Sequence, residues 1–371
     1  MLHFFAMSDL QYWLALNSLP DIGPVVARRL LSAFGSPENI FQMPVEDLRR
    51  VEGVGENRVK GITVFNKWDA IQKEIDSAEL RDVKFITLND SAYPEALKRI
   101  HDAPLVLYVK GGMMESDKYA VAMVGSRTST AYGMEVAEKM AHKLALSGLT
   151  VVSGMARGID TASHKGALKA GGRTIAVLGS GIDVPYPASN RGLMREVQSS
   201  GAVISEFPFG TPPNKENFPR RNRIISALSF GIIVVEAALD SGSLITVGYA
   251  LEQGKEVFAV PGNVTSRSSR GTNDLIKKGA KLVENAGEVI NELRPQLKGV
   301  LREDNVNTAK KLPEMTDDER ALYNYLDTEP RHIDTIIREI RMTTGKALSL
   351  LLNLELKGIV RQTQGKLFSL N

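Results

Sequence analysis

Tyr119-Ala-Val-Ala-Met-Val-Gly-Ser-Arg127 is the stretch that decides the fold of this chain. The apolar residues Ala120 to Val124 run without interruption into Gly125, and a helical pattern opens near Thr128. That order reads as a buried parallel strand, a tight turn and a crossover helix. Such a turn brings backbone N–H groups and the positive end of a helix dipole to one spot, which favours an anion. Gly125 permits close approach, Ser126 adds a hydroxyl, and Arg127 adds a planar fork suited to phosphate oxygens. The tripeptide alone fits equally well an ordinary turn whose arginine points to solvent.

Working outward, short apolar runs alternate with helical stretches. Strands are expected at 83–88, 105–109, 119–124, 150–153, 174–178, 203–206, 231–236, 256–260 and 281–283, and helices at 130–147, 161–170, 190–199 and 246–253. This alternation predicts a Rossmann-like, doubly wound α/β domain over 81–293, its mainly parallel sheet covered on both faces. Ligands of such sheets sit at the carboxyl ends of the strands, and here those ends are rich in Gly and Ser. They read Gly125-Ser-Arg127, Ser153-Gly-Met-Ala-Arg-Gly-Ile-Asp160, Gly179-Ser-Gly-Ile-Asp183 and Pro261-Gly262.

Residues 1–80 read as a helical domain with two similar turns, Leu19-Pro-Asp-Ile-Gly-Pro24 and Val51-Glu-Gly-Val-Gly-Glu56, each followed by a short amphipathic helix. The spacing resembles a paired helix-hairpin-helix (SAM-like) module, whose glycine turns can offer N–H groups to phosphate. Residues 294–312 lose apolar periodicity and read as a linker. Residues 313–371 predict three helices and a terminal hairpin, a winged helix. Its recognition-position helix, 343–357, is mostly Leu and Ala with Lys346 near its start, so partner binding, self-association and DNA contact all stay open.

Composition narrows the function. With 43% hydrophobic and 24% charged residues the chain reads as globular, and no apolar run approaches the roughly 20 residues of a membrane span. The first residues lack a basic region and a long apolar core, so no secretory signal is expected. The absence of cysteine excludes disulfides and Cys-based zinc sites and fits a reducing cytoplasm. Residues 1–80 carry 8 Lys and Arg against 11 Asp and Glu, 313–371 carry 8 against 9, and 81–312 carry 30 against 23. An anionic partner therefore belongs with the middle segment, and the acidic start favours a structural or protein-contact role there.

Several chemistries fail on the residues. Gly179-Ser-Gly-Ile-Asp-Val184 opens like a dinucleotide fingerprint, but Val184 stands in place of the third glycine; no P-loop motif exists. His3, His101, His142, His164 and His332 are scattered, with no metal-ligand spacing. Asp160, Asp183, Glu206 and Glu236 stand near strand ends, where they can act as acids, cap loops or hold arginines. No nucleophile–base–orienter set is evident, so neither a catalytic residue nor a metal or cofactor is expected. The segment Pro212-Pro-Asn-Lys-Glu-Asn-Phe-Pro-Arg-Arg-Asn-Arg-Ile-Ile225 sets Lys215, Arg220, Arg221 and Arg223 against one acid, Glu216, with Phe218 among them. Read as a loop, it combines cations for a phosphate backbone with an aromatic plate for an unpaired base, the recipe for single-strand binding.

These stretches resemble the DNA-processing protein A (DprA, or Smf) family. The resemblance rests on Val124-Gly-Ser-Arg127, Ser153–Asp160 with Thr161-Ala-Ser-His164, Leu178–Asp183 with Tyr186-Pro187, Phe218-Pro-Arg-Arg-Asn-Arg-Ile-Ile225, Glu236 with Ser241-Gly-Ser-Leu-Ile-Thr246, and Gly254-Lys-Glu-Val-Phe-Ala-Val-Pro-Gly262, in that order over about 120–275. It implies a cytoplasmic protein that binds single-stranded DNA in natural transformation, protects it, loads the RecA recombinase and dimerises through its Rossmann domain. By the family's pattern Gly125, Ser126 and Arg127 hold phosphates, Lys215 and Phe218 supply a charge and a base-contacting ring, and Lys255 is a weaker carry-over. Where some members carry a lysine after Tyr-Pro, this chain has Ala188, with Arg191 as the nearby cation. The main alternative is a nucleoside-monophosphate-processing enzyme of the lysine-decarboxylase-like Rossmann group. Against it, Asp240-Ser-Gly-Ser-Leu-Ile-Thr-Val-Gly248 lacks the glycine run of those enzymes and an acid three residues after Thr246.

Overall fold

The computed structural model describes residues 7–297, 315–327, 329–363 and 365–370. The chain divides into two compact units, Met1–Val306 and Asn307–Asn371.

The first unit opens with helices α1 (Asp9–Asn17), α2 (Pro24–Phe34), α3 (Pro37–Gln42), α4 (Val45–Arg49), α5 (Glu56–Thr63) and α6 (Trp68–Leu80). Ser8 starts α1 with a reciprocal capping box: its Oγ accepts from Gln11 N and its own N–H donates to Gln11 Oε1. The two predicted glycine turns are present, with Gly23 and Gly55 as the N-caps of α2 and α5. Arg58 binds them to each other, donating to Asp21 O at 2.6 Å and to Gly53 O.

Nine strands then build one sheet: β1 (Lys84–Thr87), β2 (Val106–Gly111), β3 (Ala120–Val124), β4 (Thr150–Ser153), β5 (Thr174–Val177), β6 (Ala202–Ser205), β7 (Gly231–Val234), β8 (Glu256–Ala259) and β9 (Lys281–Leu282). Each predicted strand is found, with ends displaced by at most two residues. The order is β1-β2-β6-β5-β4-β3-β7-β8-β9, parallel from β6 to β9, with β2 antiparallel to β6 and β1 antiparallel to β2. Between strands lie α7 (Glu95–Lys98), α8 (Ala131–Leu146), α9 (Ile159–Lys169), α10 (Arg191–Ser200), α11 (Asn217–Ala227), α12 (Ser243–Glu252) and α13 (Arg270–Lys277), with α14 (Ala286–Leu293) after β9. From β3 the chain winds outward through β4, β5 and β6, then returns to the other side of β3 as β7. The carboxyl ends of β3 and β7 are therefore adjacent while their connections leave in opposite directions, a topological switch point where ligands of such sheets bind.

Every residue of β3 is buried, as the uninterrupted apolar run requires. One core extends from Trp13, Leu14 and Leu16 of α1 through Leu105 to Val109 into the sheet, so the leading helices and the sheet share an interior. Polar ties reinforce it: Glu74 of α6 accepts from Tyr108 Oη at 3.0 Å and from Phe209 N at 2.9 Å.

One predicted loop is a helix. Residues 217–227 form α11, with Pro219 in its first turn, where a missing N–H costs nothing. Its buried face carries Arg221, Asn222 and Arg223 beside Ile224 and Ile225.

The second unit contains α15 (Asp317–Tyr325), α16 (Ile333–Ile340) and α17 (Thr344–Leu356), with β10 (Arg331–His332), β11 (Val360–Thr363) and β12 (Leu367–Leu370) in the order β10-β12-β11. Leu322, Ile336, Leu351, Leu354 and Phe368 form its core. This is the predicted winged helix, with a short extra strand, β10, before α16. Most of the predicted linker, 298–312, lies outside the described residues.

Candidate nucleic-acid interface

The turn after β3 is pinned to the end of β7: Ser126 N donates to Glu236 O at 2.7 Å and Val235 N to Val124 O at 3.1 Å. Glycine is required there, because a Cβ on Gly125 would lie 2.6 Å from Ile159 Cγ1 and 2.8 Å from Glu236 O. Gly158 is held at φ +74°, where a Cβ would lie 2.3 Å from Ser126 O, and it lets Ile159 N donate to that oxygen at 3.2 Å.

The anion at the N-terminus of α8 is the protein's own. The buried Glu236 carboxylate accepts from Thr130 N at 2.8 Å, Thr130 Oγ1 at 3.0 Å and Ser268 Oγ at 2.7 Å. Thr130 caps the helix through Gly133 N, and Thr128 N donates to Ser126 Oγ at 3.2 Å. The Ser126, Thr128 and Thr130 amides are thus spent internally, contrary to the expected cradle of free N–H groups. What the turn presents to solvent is the exposed Arg127 side chain.

Arg127 lies over Phe218, its guanidinium carbon 4.5 Å from the ring centroid. Phe218 is half-buried and rests on the backbone of Gly179, where a Cβ would come within 2.8 Å of the ring. On Phe218 leans Tyr186, centroids 5.5 Å apart and planes 41° apart. With Lys215 these groups line one part of a cleft of about 900 Å³ at the switch point. Ser241, Ser243 and Thr246 also line it, with Arg267, which pairs with Asp240 at 3.0 Å.

The arginines of α11 separate. Arg221 lies at the cleft floor, 4% exposed, donating to Gly154 O at 2.7 Å, Asn222 Oδ1 at 3.1 Å and Val177 O. Burial pushes its pKa down to about 10, opposed by Asp160, and it stays cationic at neutral pH. Asp160 accepts from Gly154 N and Ala156 N; burial raises its pKa, and Arg221 counters that most strongly. Arg223 is buried in a pair with Glu206 at 2.6 Å and with Asp102 at 3.1 Å. Burial raises the Glu206 carboxyl, with Arg223 the main opposing influence. Arg220 reaches the same carboxylate at 3.2 Å with its side chain half-exposed, and lies 5.2 Å from the Phe207 ring centroid. Lys255 donates to Ala227 O at 3.5 Å; burial, then Arg99, lowers its pKa. Arg220, Arg223, Lys255 and Arg191 are not among the residues lining the cleft.

The acids at the strand ends each have partners within the fold: Asp160, Glu206 and Glu236 hold loops and arginines, with Asp160 also lining the cleft, and Asp183 accepts from Gly210 N at 2.9 Å. Among the described residues no group of three His, Asp or Glu could hold a metal ion, and no helix is long and apolar enough to cross a membrane. Tyr186 and Arg267 were not singled out as ligand contacts by sequence. Tyr186 carried a signal in the Tyr-Pro pair; Arg267, on the loop after β8, carried none.

Fold and cleft together define an α/β protein that presents cations and aromatic rings at a topological switch point. The chain belongs to the DNA recombination-mediator protein A family, whose sequence profile matches residues 84–294; a DprA winged-helix domain matches 307–366, and a SAM-like helix-hairpin-helix tandem matches 14–65. It is 34% identical to Protein Smf of Synechocystis sp. over 97% of this chain and 98% of that protein. The X-ray structure of DNA processing protein A from Streptococcus pneumoniae superposes with a TM-score of 0.67 at 36% identity, covering 78% of this chain and 99% of the other. DNA processing protein A from Helicobacter pylori, whose structure was described for its single-stranded DNA binding mode, superposes with a TM-score of 0.52 at 32% identity, over 57% and 97% of the two chains.

Proposed function

We propose that this chain binds single-stranded DNA along the switch-point cleft, protects it during natural transformation and loads the RecA recombinase on it. Arg127 and Lys215, with the Gly125–Ser126 turn setting the position of Arg127, take backbone phosphates. Phe218 belongs to the aromatic surface for unpaired bases, and Arg220 adds peripheral positive potential. Arg221, Arg223 and Lys255 support the strand ends and α11. The observation that carries this reading is the Arg127 guanidinium stacked on Phe218, with Lys215 in the same cleft. A cation and a ring in one place serve a phosphate and its unpaired base together, whereas a duplex keeps its bases stacked away from the ring. The single-strand binding named for the Helicobacter pylori relative supports the same ligand. The protein acts in the cytoplasm as a binding protein and pairs with a second copy through its Rossmann domain.

Fluorescence anisotropy with labelled single- and double-stranded oligonucleotides over a salt series tests this. Single strands are expected to bind much more tightly, with a log–log salt slope near −3 for about four phosphates at roughly −0.7 each. Equal affinity for duplex and single strand at moderate salt would overturn it. RecA loading is read separately, as faster RecA-dependent strand pairing in the protein's presence.

A further inference from the structure

The ring the sequence nominates for base contact is the more covered of the two in the cleft. Phe218 has Gly179 beneath it, Arg127 over it and Tyr186 against it. Tyr186 is 42% exposed, lines the same cleft, and has no hydrogen bond from its hydroxyl among the described residues. The contrast with Tyr132 is informative: that ring is exposed too, but its hydroxyl donates to Pro261 O at 3.1 Å and so has a structural task.

Tyr186 is also displayed by a tied-down loop. Gly181 N donates to Thr211 O at 2.9 Å, Ser180 Oγ to Val184 O at 2.8 Å, and Asn190 Nδ2 to Met155 O at 2.9 Å, bracketing the ring on both sides. A large, half-exposed ring on a fixed backbone loses little conformational entropy when a flat ligand covers it.

We infer that Tyr186 is a base-stacking residue of the cleft, forming with Phe218 a continuous aromatic platform on which an unpaired base lies against Tyr186. Phe218 then serves as the underlay that orients Tyr186 on one side and Arg127 on the other. This rests on the reading of the cleft as a single-strand site, and it adds a residue to that site. Contact through a π-face tolerates any base, so the platform confers no strong sequence preference.

The test compares two single strands of equal length, one of oligo-dT and one of abasic sugar-phosphate, by anisotropy on the full chain. Tyr186→Ala and Tyr186→Leu are expected to weaken oligo-dT binding by about 5- to 150-fold, the equivalent of 1–3 kcal/mol per stacked base. Neither should change abasic affinity more than about twofold or alter the salt slope, and Tyr186→Phe should restore most of the loss. Leucine keeps bulk in place of the ring, so it decides the matter should the alanine variant fold poorly. Equal weakening on both strands would make Tyr186 a packing residue and overturn the inference. So would unchanged oligo-dT binding, or a wild-type protein that prefers neither strand. A wild-type protein that binds no single strand at all would instead refute the cleft reading beneath it.

Discussion

Arg127 and Phe218 touch in the free protein, so their contributions to DNA binding should not add. Arg127→Ala removes one cation from the cleft and should flatten the salt slope by roughly 0.7, the value of one phosphate contact. Phe218→Ala removes the underlay of the aromatic surface and should cost about 1–3 kcal/mol with the slope nearly kept. The guanidinium lies 4.5 Å from the ring centroid at an exposed site, where a cation–π contact contributes about 0.5–1 kcal/mol. Once the ring is gone, Arg127 keeps its charge near the phosphate but loses the contact that orients it, so its own removal matters less. The double variant should therefore bind about two- to fivefold more tightly than the summed single losses imply. Because Phe218 is half-buried on Gly179, Phe218→Ala should also lower the melting temperature, whereas Phe218→Leu fills most of that space. Anisotropy with oligo-dT at several salt concentrations, beside thermal melts, measures every corner of the cycle. Strict additivity, or a slope flattened by Phe218→Ala and untouched by Arg127→Ala, would refute the assignment.

Arg223→Ala leaves the buried Glu206 carboxylate with only the longer Arg220 contact, so unfolding stability should drop by about 3–5 kcal/mol in urea titrations. An unchanged urea midpoint would show the pair to be dispensable. His164 is buried, donates from Nδ1 to Thr174 Oγ1 at 2.7 Å, and burial lowers its pKa to about 3, against about 6.5 in an unfolded chain. Its contribution to stability is therefore complete above about pH 6.5 and is lost as pH falls toward 3, by about 1.4 kcal/mol per pH unit. Stability of His164→Gln should fall less steeply than wild type between pH 6.5 and 4; parallel curves would mean that His164 does not drive that loss.

The strands were legible because a fully buried parallel strand must be apolar on both faces, and residues 120–124 leave no other reading. The direction of winding was legible as a class, but the position of β6 between β2 and β5 depends on pairings no local pattern carries. The cationic segment misled for a physical reason. Arg221 and Arg223 look like surface charge until Val177 O, Gly154 O, Glu206 and Asp102 are brought to them from distant parts of the chain. A buried polar face also hides the amphipathic signature of a helix, so α11 read as a loop. Glu236 likewise reaches the N-terminus of α8 from 106 residues away, and only the fold reveals that this helix end is already neutralised.

The interior shared by the leading helices and the sheet bears on how the chain is made. The leading helices leave the ribosome before the sheet, yet Glu74 finds its partners only at Tyr108 and Phe209, and β2 gains its second neighbour only when β6, at 202–205, has been synthesised. At roughly 5–20 residues per second, on the order of ten seconds separate the emergence of α6 from that of Phe209. During much of that interval β2, already synthesised, has one open edge able to pair with another nascent chain. One continuous interior in the finished protein thus implies, during synthesis, an interval in which a strand edge waits for its partner, and slower translation of 112–205 should lengthen it.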